Sequence, residues 1–395
     1  MRVAIFTDND FAKVNGVTTT LRAVLDHAPS GISPRIYTAS PLGSNDPQYL
    51  SLSSVGMPIP FYGEMRMYVP RLRRYVQHAR KDRIDVVHLT TPGPIGLAAL
   101  YVARRLRLPL VGSFHTDLAA YTALLSGSAR LGALMREYMR WPYGRCARVL
   151  VPSAATRDLL VGAKGDPAKI RIWTRGVDAE RFSPARRSRR LRDSWHVDDR
   201  RPALLYVGRV SREKGLDLLA PLQHRLHAIG IQHRFIIAGE GPMLPALRAA
   251  LPDAVFTGVL SREAVATAFA SADLFVFPSR TDTAGNVVLE AQASGLPVVV
   301  SSAGGPKENM MPGLTGVTCD TGGVGEWTAA VASILRTAGR RAAMAAAARE
   351  YAVTRCWDEA LRPLYRAYEE VLTAGAAHPA VRPAPPDAAA PLINA

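Results

Sequence analysis

The stretch Leu204-Leu205-Tyr206-Val207-Gly208-Arg209-Val210-Ser211-Arg212-Glu213-Lys214-Gly215 decides how this 395-residue chain is read. Its first four residues are apolar or aromatic and uncharged, which predicts a buried strand, and Gly208 ends that strand where the backbone can turn sharply. Past the glycine stand a guanidinium, Arg209, and an ammonium, Lys214, five positions apart. Open parallel sheets bind ligands outside the carboxyl ends of their strands. Arginine offers a planar fork for two phosphate oxygens and lysine a mobile point charge, so the group that fits the pair is a diphosphate. A β-α loop with ordinary surface charges would have the same composition, and the rest of the chain has to arbitrate.

Working outward, short β-branched runs each precede a longer amphipathic segment: residues 2–7, 86–89, 110–114 and 149–152 on one side, then 203–207, 234–238, 254–257, 274–278 and 298–301. That alternation predicts parallel α/β architecture, and its restart at 203 predicts two Rossmann-like lobes. Between them, residues 182–201 hold Pro184 and seven arginines, with Arg186, Arg187, Arg189 and Arg190 nearly consecutive, too much charge for a buried strand. The resulting division is an N-terminal lobe (1–183), a basic linker (184–200), a C-terminal lobe (201–355), a last helix (356–373) expected to pack back on the first lobe, and a disordered Pro/Ala-rich tail (374–395). Pro363 is expected to kink or break the last helix.

Composition narrows the function. With 48% hydrophobic and 21% charged residues the chain can bury a large core, and disorder throughout is excluded. Cys146, Cys319 and Cys356 are odd in number and never at CxxC spacing, so neither a disulfide framework nor a zinc site is expected, and a reducing cytoplasm is the natural compartment. Arg2 and Asp8 interrupt the first strand too early for a signal peptide, and no apolar run approaches the roughly 18 residues of a membrane span. The net charge is +16, and residues 1–184 hold 25 basic against 13 acidic residues. Such a balance suits phosphate-rich ligands, anionic lipid or nucleic acid. No helix-turn-helix, zinc-finger or aromatic RNP signature accompanies it, which argues against nucleic acid.

A second informative segment spans 274–301: a strand, LFVFPS, the loop Arg280-Thr281-Asp282-Thr283-Ala284-Gly285-Asn286, a helix, and a second strand, LPVVVS. A helix that starts near Asn286 aims its unpaired amides and the positive end of its dipole at the ligand edge. Asp282 lies in the loop and Glu290 about one turn into the helix, where carboxylates can accept from sugar hydroxyls.

GRVSREKG, PSRTDTAGNVVLEAQASGLPVVVS and AGGPKE together resemble the retaining glycosyltransferases of family 4, which have the two-lobed GT-B fold. The resemblance implies that Arg209 and Lys214 hold the donor diphosphate, which makes residues 201–355 the donor-binding lobe and residues 1–183 the acceptor-side lobe. The family's Glu-x7-Glu motif falls on Asp282 and Glu290, the first member one methylene short. In the N-terminal lobe, Asn15-Gly16-Val17 resembles the glycine loop beneath the transferred sugar, and Ser113-Phe114-His115-Thr116-Asp117 the strand-end histidine motif. Arg175-Gly176-Val177-Asp178 with Arg181-Phe182 matches the segment before the interlobe linker, and Gly239-Glu240-Gly241-Pro242 a donor-side loop. That loop fails as a dinucleotide fingerprint because Leu244 replaces the third glycine, and no GK[ST] P-loop is present. The similarity covers about residues 1–372. It implies a catalytic set of His115, Arg209, Lys214 and Asp282 and donor contacts from Gly16, Gly285, Asn286, Val287, Val288 and Glu290. Retention is expected with the leaving phosphate taking the acceptor's proton, no protein base, no metal, and no cofactor beyond the nucleotide-sugar donor.

Residues 58–66 are similar to those of bacterial members that mannosylate lipid or polyprenyl-linked acceptors, and to those of relatives that build glycolipids from UDP-sugars. The expected activity is therefore GDP-mannose-dependent α-mannosyl transfer to a lipid-linked or glycan acceptor, in the cytoplasm or on the inner face of the plasma membrane. A UDP-hexose or UDP-sulfoquinovose glycolipid synthase is the second reading, with a UDP-sugar epimerase and a non-catalytic sugar-nucleotide binder behind it. Residues 64–75 mix arginines with apolar and aromatic side chains, as an interfacial segment on anionic lipid or a solvated helix would.

Overall fold

The computed structural model describes residues 1–12, 15–39, 46–52, 55–59 and 62–376. Pro60, Phe61 and residues 377–395 of the expected tail lie outside the described residues. Nine strands belong to the first lobe: β1 Arg2–Phe6, β2 Ser33–Thr38, β3 Tyr49–Ser51, β4 Gly56–Ile59, β5 Tyr62–Tyr68, β6 Val86–Leu89, β7 Leu110–Ser113, β8 Arg148–Val151 and β9 Ile170–Ile172. The second holds β10 Ala203–Val207, β11 Arg234–Ala238, β12 Val255–Gly258, β13 Leu274–Phe277, β14 Val298–Ser301 and β15 Gly316–Cys319. The central strands are buried on both faces, which is why they read as unbroken apolar runs rather than alternating ones.

The first sheet runs β3-β2-β1-β6-β7-β8-β9 and the second β12-β11-β10-β13-β14-β15, with parallel neighbours in both. In each, the order reverses once, between β1 and β6 and between β10 and β13. Loops leaving adjacent strands at such a point run to opposite faces and open a crevice between them. Both crevices contribute to the site described below.

Three expectations are corrected. The last helix, Trp357–Ala376, runs through Pro363 without a break and includes residues 374–376. One face of it, Trp357, Leu361, Leu364, Tyr365 and Tyr368, is buried in the core of the first lobe among Ile5, Leu21, Val24 and Trp173. The carbonyl that loses its partner to the proline belongs to Glu359, an exposed residue that water can serve. Residues 184–200 are not a free basic linker either. Trp195 and Val197 join the second lobe's core, and Arg187 and Arg192 converge on the buried carboxylate of Asp273, at 3.0 and 2.8 Å. Asp273 also accepts from the Ala203 amide at 2.8 Å, so the arginines neutralise an acid that sits between two strands. Residues 64–75, finally, are not one helix. They complete β5, paired antiparallel with β4, and begin the helix Leu72–Lys81, where Arg71, Arg73 and Arg74 are exposed.

Candidate active site

At the second lobe's switch point, the loops after β10 and β13 meet. Lys214 ends the short helical turn after β10, and its Nζ lies 2.6 Å from Oδ2 of Asp282, which follows β13. Burial alone would lower the lysine's pKa and raise the carboxylate's. Each group's charge outweighs that on its neighbour, so the lysine is held above its ordinary range and the acid below. Lys214 also lies over the Phe277 ring at 5.9 Å. The loop after β11 packs against the same turn. Gly239 has φ 137°, and a Cβ there would come within 2.0 Å of the Gly208 carbonyl oxygen. Arg209 is half-buried beside them, its carbonyl accepting from the Tyr206 hydroxyl at 2.7 Å.

Asp282 binds in a second direction as well, accepting from the Gly285 amide at 3.2 Å through Oδ1. Gly285 precedes the helix Asn286–Ala293 with φ 73°, and any side chain there would collide with Pro306. A glycine cap has no side-chain oxygen to fill the helix N-terminus. The turn is braced from below by Asn309, whose Nδ2 donates to the carbonyls of Ala284 and Gly285. Val288 is buried and its amide already bonds to the Gly285 carbonyl at 3.0 Å, and Val287 packs on the core. Any donor contact from this pair is therefore through the backbone at Val287. Glu290 lies one turn in, away from Lys214. Burial pushes its pKa up to about 7, while Arg262 and Arg181 pull it back.

The first lobe closes over this face. His115 follows β7, nearly buried at 9% exposure, and its carbonyl accepts from Thr283 Oγ1 at 2.6 Å. Ser153 Oγ donates to the Thr283 carbonyl at 3.0 Å. Glu308 reaches across to accept from the Ala154 and Ala155 amides, at 2.7 and 2.8 Å, at the start of the helix Ala154–Gly162. Tyr121, on the helix Leu118–Ser126, meets Thr281 and lies close to Lys214 and Asp282, its phenol kept protonated by burial. Gly16 opens the helix Gly16–Asp26, capped by Asn15, and its carbonyl is 3.4 Å from Asn286 Nδ2. Asp282 with Lys214, the start of the helix Asn286–Ala293, Gly16 and the backbone of His115 thus meet where the lobes touch. His115 is kept neutral by burial first and then by the charge of Arg175. Asp8, after β1, caps the helix Pro94–Leu106 through the amides of Ile95 and Gly96, which fixes the wall of the first crevice.

Sequence reasoning named Lys214, Asp282, His115, Gly16 and Asn286 but not Tyr121, Thr283, Glu308 or Asn309. Glu308 stood inside the quoted AGGPKE string, and nothing in that string reveals a partner in the other lobe.

Residues 14–181 match the family model described as Glycosyltransferase Family 4, and residues 201–337 the one described as Glycosyl transferases group 1. A GDP-mannose-dependent alpha-mannosyltransferase of Corynebacterium glutamicum is 33% identical over 94% of this chain and 89% of its own. The chain belongs to glycosyltransferase family 4. This family 4 enzyme is also 31% identical to a sulfoquinovosyl transferase of Arabidopsis thaliana, over 88% of this chain and 69% of that one. Its fold is that of sucrose-phosphate synthase from Thermosynechococcus elongatus, with a TM-score of 0.75 at 19% identity over 94% and 99% of the two chains. That is the GT-B architecture, and the chain is a hexosyltransferase.

Proposed function

We propose that this glycosyltransferase moves mannose from GDP-mannose, with retention, to a lipid-linked or glycan acceptor. The observation that carries the transfer chemistry is the Lys214–Asp282 pair, set beside the uncapped start of the helix Asn286–Ala293 on a loop whose Thr283 bonds the backbone of His115 in the other lobe. Cleaving an anomeric carbon from a nucleoside diphosphate places negative charge on the departing phosphate, and preorganised cations and amides there lower the barrier most. Lys214, Arg209 and the amides near Asn286 supply that field. Asp282, released from Lys214 when the diphosphate takes its place, is free to accept from a sugar hydroxyl. The leaving phosphate itself takes the acceptor's proton, so no protein base is assigned. The similarity to mannosyltransferases over most of the chain supports the choice of donor.

A lipid-linked acceptor is supported by the helix Ala129–Gly144, which exposes Leu131, Leu134, Tyr138 and Trp141 among Arg130, Arg136 and Arg140. Apolar and basic side chains on one surface fit the headgroup boundary of an anionic leaflet. No helix among the described residues is long and apolar enough to cross a membrane. Turnover should be assayed with GDP-mannose, UDP-glucose and UDP-sulfoquinovose, with and without vesicles that carry a lipid acceptor. Transfer from GDP-mannose alone is expected. Transfer only from a UDP-sugar would install the glycolipid-synthase reading, and release of an isomerised sugar with no acceptor present would install an epimerase.

A further inference from the structure

A line of buried side chains runs from His115 into the core and ends on the last helix. His115 Nε2 is 2.8 Å from Ser113 Oγ, Ser113 Oγ is 2.8 Å from His88 Nε2, and His88 Nδ1 is 2.7 Å from the Tyr368 hydroxyl. His88, Ser113 and Tyr368 are wholly buried, and no other side-chain partner is seen for the two hydroxyls among the described residues. His115 Nδ1, by contrast, has no hydrogen-bond partner among the described residues and is not among the fully enclosed unpartnered atoms, so it is the ring nitrogen left for a ligand.

The protons on this line can be assigned by requiring each one to meet an acceptor. Burial drives the His88 pKa down to about 3, and His115 is lowered too, so both rings are neutral and carry one proton each. The Tyr368 phenol is raised and stays protonated. Its only acceptor among the described residues is His88 Nδ1, so His88 carries its proton on Nε2 and donates it to Ser113 Oγ. The Ser113 hydroxyl then donates to His115 Nε2, and His115 must carry its proton on Nδ1. Reversing the whole line strands the phenol proton in the core. Letting both histidines donate to Ser113 strands the serine proton instead. A buried unpaired proton costs more than a buried unpaired lone pair, so both alternatives are disfavoured.

We infer that Tyr368, His88 and Ser113 are positioning residues that lock the tautomer of His115, so that the cleft meets an N–H donor at Nδ1 and never a lone pair. The inference rests on the reading of His115 as a donor contact, and it makes that contact a hydrogen bond given to a phosphate or sugar oxygen. It also gives the last helix, packed in the core of the first lobe and bonded through Tyr368 to His88 of β6, a part in the site.

The test is long-range proton–nitrogen NMR on the full chain labelled with ¹⁵N-histidine, with His115 assigned by its loss in His115→Gln. In the free wild-type protein His115 Nδ1 should resonate as a protonated, pyrrole-type nitrogen and Nε2 as an unprotonated, pyridine-type one. The reverse pattern overturns the proposal, and it does so without reference to any substrate. Tyr368→Phe, which keeps the ring and its packing, should convert the pattern to a mixture and lower kcat roughly two- to tenfold with KM nearly unchanged. If Tyr368→Phe leaves both the tautomer and kcat as they were, the line has no positioning role. The reading on which it rests is tested separately by adding GDP: the Nδ1 proton should shift on binding, and a tautomer as assigned but indifferent to GDP would sink the donor contact and leave the tautomer lock standing.

Discussion

The two faces of the cleft are made of different materials. The second lobe offers charge that is already paired and held by loops of a few residues, with Lys214 on Asp282 and Asp282 on the Gly285 amide. The first lobe offers a neutral histidine whose orientation is fixed through three further buried groups, the last of them on the chain's final helix. A departing diphosphate needs a full charge nearby and tolerates a flexible cation. A directed hydrogen bond needs a ring held in one orientation and one tautomer. The ionic face is therefore local and the neutral face is long-range.

Lys214→Ala gives the largest expected effect. It should lower kcat roughly 10²–10³-fold, the range seen when a preorganised group is removed from a developing negative charge. It also leaves Asp282 partly buried without its counter-ion, so melting temperature should fall as well. The double variant Lys214→Ala, Asp282→Asn separates the two consequences: stability should return and turnover should not. Recovery of both would mean that the lysine serves only to neutralise the acid, and the contrast between the faces would vanish.

The next effect sharpens the ionic side by its exception. Glu290 is the carboxyl on that face which burial raises, to about 7, more than Arg262 and Arg181 lower it. Below its ordinary value near 4.5 the group is protonated folded or unfolded and contributes nothing. Between there and about 7 the folded state binds the extra proton, so stability falls as pH rises and the full penalty is present above 7. Across that window the loss should be roughly 2–3 kcal/mol, and Glu290→Gln should flatten it. Parallel melting curves for the two proteins between pH 4.5 and 8 would show that the carboxyl is better solvated than its burial implies.

What could be read from the sequence follows the same division. Strands buried on both faces are unbroken apolar runs, and β10, β11, β13 and β14 were placed to within a residue. Lys214 was legible because a cation just past a buried strand and its terminal glycine, Gly208, leaves a local mark. The Lys214–Asp282 pair was not, since each side chain had been given to a different part of the donor. Arg187 and Arg192 read as solvated because Asp273, the acid they enclose, lies a whole sheet crossing away in sequence. His115 stood out as a motif, yet Tyr368 reads there as one aromatic of an amphipathic helix. Only tertiary packing turns that phenol toward His88. The edge strands β3, β9 and β15 were missed because YLS, IRI and GVTC mix polar residues or glycine into three or four positions and leave no unbroken apolar run.

The smallest effect tests whether the two faces act together. Glu308 belongs to the ionic lobe but spends both oxygens on amides of the other, beginning the helix Ala154–Gly162 that Ser153 also caps from within. A carboxylate at a helix N-terminus gains from the two hydrogen bonds and from the dipole, and here that gain is realised only while the lobes touch. Glu308→Gln keeps the shape, removes the charge and sets an amide NH₂ against one of the two N–H groups. The lobes should then part more readily, and if the nucleotide binds between them as proposed, its dissociation constant should rise roughly tenfold. The melting temperature should change little, because Ser153 still caps the helix within its own lobe. Calorimetric titration with GDP measures the first quantity and solution scattering the second consequence, a larger radius of gyration for the variant. An unchanged affinity together with an unchanged radius would mean that Thr283 and Asn286 hold the lobes together without Glu308, and that the neutral face keeps its position independently of the charged one.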